Sequence, residues 1–309
     1  MTSPWTCQES VFLLFLISWI TKHSGLTFST CKLKRQRGQP HSFLNKIEPH
    51  HYLICLYTMS YVIVIPSYQR ASLLNDKTLL TLHRHGIPKE LIHVFVVQEE
   101  LEQYTKTLNP SFYHQLIVGV LGITQQRQFM EDYFPEGQYI VSMDDDIDDI
   151  DLSLTSFTTL DQFVTQAFQV CIQQSAYLWG VYPVYNPFFR RRDIECGLQF
   201  IVGVFYGVIN RRGITPSLES KCKEDVERSI LYYLKDGNVV RFGRVGVKTK
   251  YYGKEGGLGN FKSRLEVGRL ASVYLQEKYP TLGKMWTRKN GMTEFRLHNK
   301  LKQKFNGSK

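Results

Sequence analysis

Cysteine is sparse and unpaired in this sequence. Six cysteines, at positions 7, 31, 55, 171, 196 and 222, show no CxxC pair and no zinc-like spacing. That excludes a disulfide framework and a structural zinc module, and reads as reduced thiols in a reducing compartment. No apolar run reaches the roughly twenty residues that a membrane span needs; "VFLLFLISWI" (Val11 to Ile20) stops at ten. No GKS or GKT occurs, so a Walker-type phosphate loop is excluded. There is no internal repeat, and no histidine lies between His114 and His298.

What is present describes an ordinary globular chain. Hydrophobic residues are 43% and charged residues 21% of 309, enough to bury one large core or two small ones. The formal net charge is +10; residues 1–58 hold six Lys/Arg against two Glu, leaving +6 on the remaining 251. A basic surface suits polyanions such as nucleic acid or nucleotide phosphates, although many mildly basic proteins bind neither. The first 58 residues differ from the rest, with the apolar decapeptide, a basic loop "KLKRQRGQP" and a second apolar patch "HYLICLY". No Lys or Arg precedes the decapeptide and no small-residue cleavage site is evident, which disfavours a secretory signal and leaves a signal anchor open. Residues 1–58 are expected to be an extension, disordered or outside the mature protein, with Met59 a fitting start. The expected setting is cytoplasmic or nuclear, without stable membrane insertion.

From Tyr61 the pattern is regular. "YVIVIP", "IHVFVVQ", "QLIVGV" and "QYIVSM" read as buried strands, separated by helices at "SLLNDKTLLTLHRHG", "EELEQYTKT" and "ITQQRQFMEDYFPEG". This alternation predicts an α/β fold: a doubly wound, mostly parallel sheet with helices on both faces. Further on, a helix is expected from Leu160 to Ser175 and strands at "YLWGVYPVY", "LQFIVGVFYGVI" and "VVRFGRVGVKTKYY". Helices are expected at "EDVERSILYYLKDG" and "FKSRLEVGRLASVYLQEKY". The domain is expected to span 59–284, followed by a basic tail, 285–309.

Directly behind the fourth strand, "DDDIDDID" places Asp144, Asp145, Asp146, Asp148, Asp149 and Asp151 within eight positions. Most charge runs are solvated loops, but few sit at the carboxyl end of a buried strand, where such sheets bind ligands. An EF-hand would need Gly at loop position six and Glu at twelve, where the chain has Asp149 and Thr155. The remaining reading is a D-x-D that binds a divalent ion carrying a diphosphate, with Asp144, Asp145 and Asp146 as candidate ligands for Mn²⁺ or Mg²⁺. Arg127, in the preceding helix, could balance this charge and grip diphosphate oxygens, or could be a surface salt bridge. After the first strand, Pro66 and Tyr68 can wall a planar base, and Arg70 can reach a phosphate or an aspartate. Glu224 and Asp225 stand where a helix begins, which fits either capping and the helix dipole or a general base. "KYYGKEGGLGNF" offers Lys254 and flexible glycines to close over phosphates.

Together these blocks resemble a nucleotide-sugar glycosyltransferase of the GT-A fold, over roughly residues 60–280. "VIVIPSYQRA" resembles that fold's opening strand, "GITQQRQFMEDYFPEGQYIVSMDDDI" its arginine-bearing helix and D-x-D strand, and "KEDVER" its acidic acceptor-side motif. "HVFVVQEELEQY" and "YYGKEGGLG" look like the TET-associated glycosyltransferases of phages and large DNA viruses, thought to glycosylate hydroxymethylated pyrimidines in DNA. The resemblance implies a UDP-sugar-like donor and an acceptor hydroxyl in DNA. It implies that Pro66, Tyr68 and Arg70 line the base and ribose, with Glu99 near the base. Arg127 would stand near ribose or diphosphate, Asp144 would meet ribose or sugar, and Asp146 the metal, with Asp145 an alternative ligand. Asp225 would be the base of an inverting hexosyl transfer, with Glu224 beside it, and Gly256 and Gly257 would close over the donor. One departure is clear: many such enzymes give a late histidine to the metal, and this chain has none there. Two rivals remain open. A nucleotidyltransferase also uses strand-end aspartates, and a non-catalytic nucleic-acid-binding module could keep the same fold.

Overall fold

The computed structural model describes residues 60–217, 222–249 and 261–298. The expected extension, Lys254, Gly256 and Gly257 lie outside them.

Strand β1 (Tyr61–Pro66) pairs in parallel with β2 (Ile92–Val96) on one side and β4 (Tyr139–Met143) on the other; β3 (Gln115–Val118) lies beyond β2. β-branched residues buried on both faces make β1 a central strand: Ile63, Val64 and Ile65 are all buried. Between the strands run a helical stretch α1 (Ala71–Leu74, a π-helical turn Asn75–Leu79, then Leu80–Arg84), α2 (Leu101–Thr107) and α3 (Ile123–Tyr133). The chain winds outward from β1 to β3 and returns to β4 on the other side of β1. Winding thus reverses between β1 and β4, the switch point where α/β sheets open a crevice at their carboxyl edge.

Past β4 the sheet becomes mixed: β5 (Ile147–Asp151), β6 (Leu178–Tyr182), β8 (Phe205–Ile209) and β9 (Val240–Thr249) extend it in the order β3-β2-β1-β4-β8-β6-β9-β5, with β7 (Ile194–Glu195) pairing β9. Strand β8 is antiparallel to β4, and β6 is antiparallel to β8 and parallel to β9. Helix α4 (Leu160–Gln173) starts at Thr159, whose side chain accepts from Gln162 N, and α5 (Glu224–Asp236) stops at Gly237, where φ is +71°. The α/β doubly wound expectation holds.

Three expectations change in detail. The second half of the aspartate run is a strand, β5 (Ile147–Asp151), paired with β9 at the sheet's end. Only the last five residues of "LQFIVGVFYGVI" are strand. The expected boundary at 284/285 falls inside β10 (Gly283–Thr287), which pairs with β11 (Thr293–Leu297). Phe295 of that hairpin packs with Leu198, Val226, Ile230, Leu275 and Tyr279, joining α5 to α6 (Phe261–Lys278). No helix among the described residues is long and apolar enough to cross a membrane.

Candidate functional site

At the end of β1 the ladder continues one residue further, with Ser67 N donating to Phe95 O at 3.0 Å. Gln69 then takes a left-handed conformation (φ +57°), unusual for a residue with a Cβ. Its N–H is held by the Glu100 carboxylate at 3.0 and 3.2 Å. This turn brings Arg70 back over the strand end. Its backbone N–H donates to Tyr104 Oη at 3.1 Å, and its Nη1 lies 3.1 Å from Asp145 and 3.6 Å from Asp146.

Asp145 is buried, and Ser67 Oγ donates to it at 2.7 Å. Since the serine proton goes to the carboxylate, the buried Tyr104 hydroxyl is the donor in its 2.7 Å contact with Ser67. A relay therefore runs from Arg70 N–H through Tyr104 and Ser67 to Asp145. The turn that follows is closed by Thr78 from α1, whose hydroxyl donates to Asp144 O at 2.8 Å and accepts from Ile147 N at 2.9 Å. Thr249, the last residue of β9, donates to Asp146 at 2.5 Å. The three aspartates farther along β5 have their own partners: Asp148 pairs with Lys77, Asp149 accepts from Tyr185 Oη at 2.9 Å, and Asp151 pairs with buried Arg190. The run thus divides into a turn of three at the crevice and three tied into the sheet edge.

Arg127 is only 4% exposed and donates to Asp144 at 2.8 Å through Nη2. Its Nε stands 3.7 Å from the Glu224 carboxylate, and neither Nε nor Nη1 has a hydrogen-bond partner among the described residues. The Tyr206 ring centre lies 5.4 Å from the Arg127 guanidinium carbon and 4.4 Å from that of Arg228. Burial would pull the Arg127 pKa down, but Tyr206, Asp144, Glu224 and Asp225 more than reverse it, so the guanidinium stays charged. Helix α5 starts from Lys223, left-handed at φ +63°. Asp225 Oδ2 accepts the Gly203 N–H at 3.2 Å.

Burial raises three of these carboxyls. Asp144 is pushed up to about 7, with Arg127 opposing, and Asp145 to about 6, opposed by the Ser67 hydrogen bond and Arg70. Asp225 rises to about 6, through burial first and then the Glu224 charge, against Arg127 and Arg228.

The fold therefore gathers Arg70, Arg127, Asp144, Asp145, Asp146, Glu224 and Asp225 at the carboxyl ends of β1 and β4, next to Pro66 and the half-exposed Tyr68. Glu99 is exposed on an open hollow with Gln98, Glu102 and Lys106, while its neighbour Glu100 meets the β1 turn. The arginine triplet Arg190, Arg191 and Arg192 is mostly engaged. Arg190 is buried on Asp151 and Arg244 O, Arg192 pairs with Glu195 at 2.6 Å, and Arg191 stacks on exposed Phe188. Ser67, Thr78, Glu100, Thr249 and Gly203 carried no sequence signal, because their roles depend on partners 22 to 103 residues away.

Mn²⁺ or Mg²⁺ favours oxygen donors, and the turn offers only oxygens. Among the described residues, however, no point is ringed by three or more His, Cys, Asp or Glu side chains. Asp144 turns to Arg127, Asp145 to Ser67 and Asp146 to Thr249.

No family model matches the chain, and no curated protein matches it. Solved structures similar to it include TarS of S. aureus, at 16% identity and TM-score 0.40, covering 71% of this chain and 40% of TarS. Another is glucosyl-3-phosphoglycerate synthase from Mycobacterium tuberculosis, solved with Mn²⁺, uridine diphosphate and glucosyl-3-phosphoglycerate. It shows 9% identity and TM-score 0.42, over 80% of this chain and 90% of that one. A CMP:2-keto-3-deoxy-manno-octonic acid synthetase complexed with CTP matches at 13% identity and TM-score 0.37, over 71% of this chain and 99% of that one. Similarity this distant leaves the activity to be read from the site.

Proposed function

We propose that this chain is a glycosyltransferase that binds a UDP-sugar at the β1/β4 switch point and transfers the sugar to an acceptor hydroxyl. The observation that carries this reading is the meeting of two arginines, a strand-end aspartate turn and Asp225 in one crevice, delivered by four separate segments of chain. In transfer the acceptor oxygen attacks the anomeric carbon, the bond to the β-phosphate breaks, and UDP leaves with the electron pair. Arg70 and Arg127 supply fixed positive charge toward that leaving diphosphate. A divalent ion held by Asp146, with Asp144 and Asp145 beside it, would add further charge when bound. Asp225 takes the acceptor proton; a carboxyl raised to about 6 is a stronger base than an ordinary aspartate and still ionised at neutral pH. A base acting directly on the acceptor implies inversion.

In the finer form of this proposal, Pro66 and Tyr68 pack on the nucleotide base with Glu99 nearby, Gly256 and Gly257 close over the donor, and the sugar is a hexose. The acceptor is a hydroxymethylated base in DNA, as in the TET-associated enzymes; the support is the sequence resemblance and the +10 net charge. Calorimetric titration with UDP tests the donor site. The reading expects UDP to bind more tightly with Mn²⁺ than with EDTA and to be displaced by UDP-sugars. Absence of UDP binding under both conditions would contradict it.

A further inference from the structure

The segment Ile201–Val204, which precedes β8, makes hydrogen bonds to two parts of the crevice, α5 and the aspartate turn. Ile201 N donates to Ser229 Oγ of α5 at 3.0 Å, Gly203 N to Asp225 Oδ2 at 3.2 Å, and Val204 O accepts the Asp144 N–H at 3.0 Å. This stretch of backbone therefore ties the aspartate turn to the helix that carries Asp225. Gly203 is at its centre. Its φ is not in the left-handed region, so the backbone does not call for glycine there. Space does: a Cβ on Gly203 would lie 2.6 Å from Arg127 Nη1 and 2.9 Å from Nη2. The same Nη2 makes the 2.8 Å bond to Asp144.

We infer that Gly203 is a positioning residue of the transfer site: its bare Cα lets the Arg127 guanidinium pack against the residue whose N–H holds Asp225. The spacing between the diphosphate-binding cation and the base is thus set by one residue that touches neither donor nor acceptor. The inference rests on the glycosyltransferase reading given above. Any side chain at 203 has to displace the end of Arg127. That end is the movable party, because the opposing atoms are the tip of a flexible side chain and not backbone. The cost falls first on the Arg127–Asp144 contact and on the aim of the guanidinium, while the sheet and α5 keep their packing.

A double-mutant cycle on the full chain tests this, using Gly203→Ala, Arg127→Lys and the pair. UDP affinity is read by calorimetry and stability by denaturant unfolding. A lysine has no fork at its tip, so it leaves room for the added methyl. The expected result is a loss of UDP affinity of about tenfold or more for Gly203→Ala in the Arg127 background, the size of one charge-assisted hydrogen bond. In the Arg127→Lys background the same change should cost less than about twofold. Unfolding should show the same non-additivity. Equal losses in both backgrounds, or unchanged affinity in Gly203→Ala, would overturn the inference. If the unmodified chain fails to bind UDP, the glycosyltransferase reading falls and the site role of Gly203 with it. An additive unfolding cycle alone would separately refute the contact between Gly203 and Arg127.

Discussion

Asp225 is raised by burial and by Glu224, yet it remains hydrogen-bonded to Gly203. Asparagine keeps the acceptor oxygen for that bond and cannot take a proton. Asp225→Asn should therefore lower turnover by roughly 10²- to 10⁴-fold while leaving UDP affinity near that of the unmodified chain. A steady-state comparison checks it, and unaltered turnover would reduce Asp225 to a structural role. The raised pKa also has a stability consequence. A carboxyl whose folded pKa exceeds its unfolded value favours the folded state when protonated; that contribution is complete below the unfolded pKa and is lost as pH rises through about 6. The melting temperature of Asp225→Asn minus that of the unmodified protein should thus become more positive between about pH 5 and pH 8. A difference that stays flat would remove the buried-acid assignment. For Asp146, which faces Thr249 and Arg70, the Asn variant should lose the Mn²⁺-dependent part of UDP affinity. Its stability without metal should hold level or rise, since one charge leaves a crowded turn. Unchanged Mn²⁺-dependent affinity would rule Asp146 out as a ligand.

Elements were legible where burial on both faces left a plain signature, and less so where local chemistry changed the pattern. Strands β1, β2 and β4 were readable as β-branched runs. Leu198–Val204 carries the same apolar composition, but the Ile201 and Gly203 N–H groups go to Ser229 and Asp225 and not to a ladder, and the segment is not strand. Strand β5 was read as a charged run because its two buried residues, Ile147 and Ile150, stand three positions apart and break the two-residue alternation of a strand; the ladder carries a register shift between Ile147 and Asp149. The hairpin β10–β11 was taken for a tail because its outward residues are basic and aromatic. Asn290-Gly291, with Gly291 at φ +86°, was a hairpin signal available in the sequence. This hairpin matters to the site because Glu294 pairs with Lys223, the residue from which α5 begins, while Phe295 is buried against Val226 and Ile230 of that helix. Phe295→Ala should destabilise the fold by about 3 kcal/mol, the usual cost of truncating a buried aromatic. Denaturant unfolding measures this, and a loss below about 1 kcal/mol would show that the hairpin is not part of the core around α5.

For the whole molecule, the sequence showed the kinds of residue at the crevice more clearly than their connections. Aspartates at a strand end, an arginine on the helix before them and an acidic pair at a helix start are visible as types. That Tyr104 and Ser67 orient Asp145, or that Thr78 closes the aspartate turn, depends on strand order, which no local pattern carries. The switch between β1 and β4 joins these parts, and all of them lie beyond Tyr61, where one compact unit begins. A chain of residues 59–309 should accordingly unfold cooperatively and bind UDP as the full chain does. Aggregation or lost binding would mean that residues 1–58 complete the fold.

The central claim is that the switch-point crevice consumes a nucleotide-sugar donor. Incubation with a panel of UDP-sugars and nucleoside triphosphates in Mn²⁺, followed by mass spectrometry of the nucleotides, tests it most directly. The account predicts slow release of UDP from one UDP-sugar by the unmodified chain, loss of that release in Asp146→Asn, and intact triphosphates throughout. Release of pyrophosphate from a triphosphate, with every UDP-sugar left whole, would contradict it and assign the aspartates to nucleotidyl transfer.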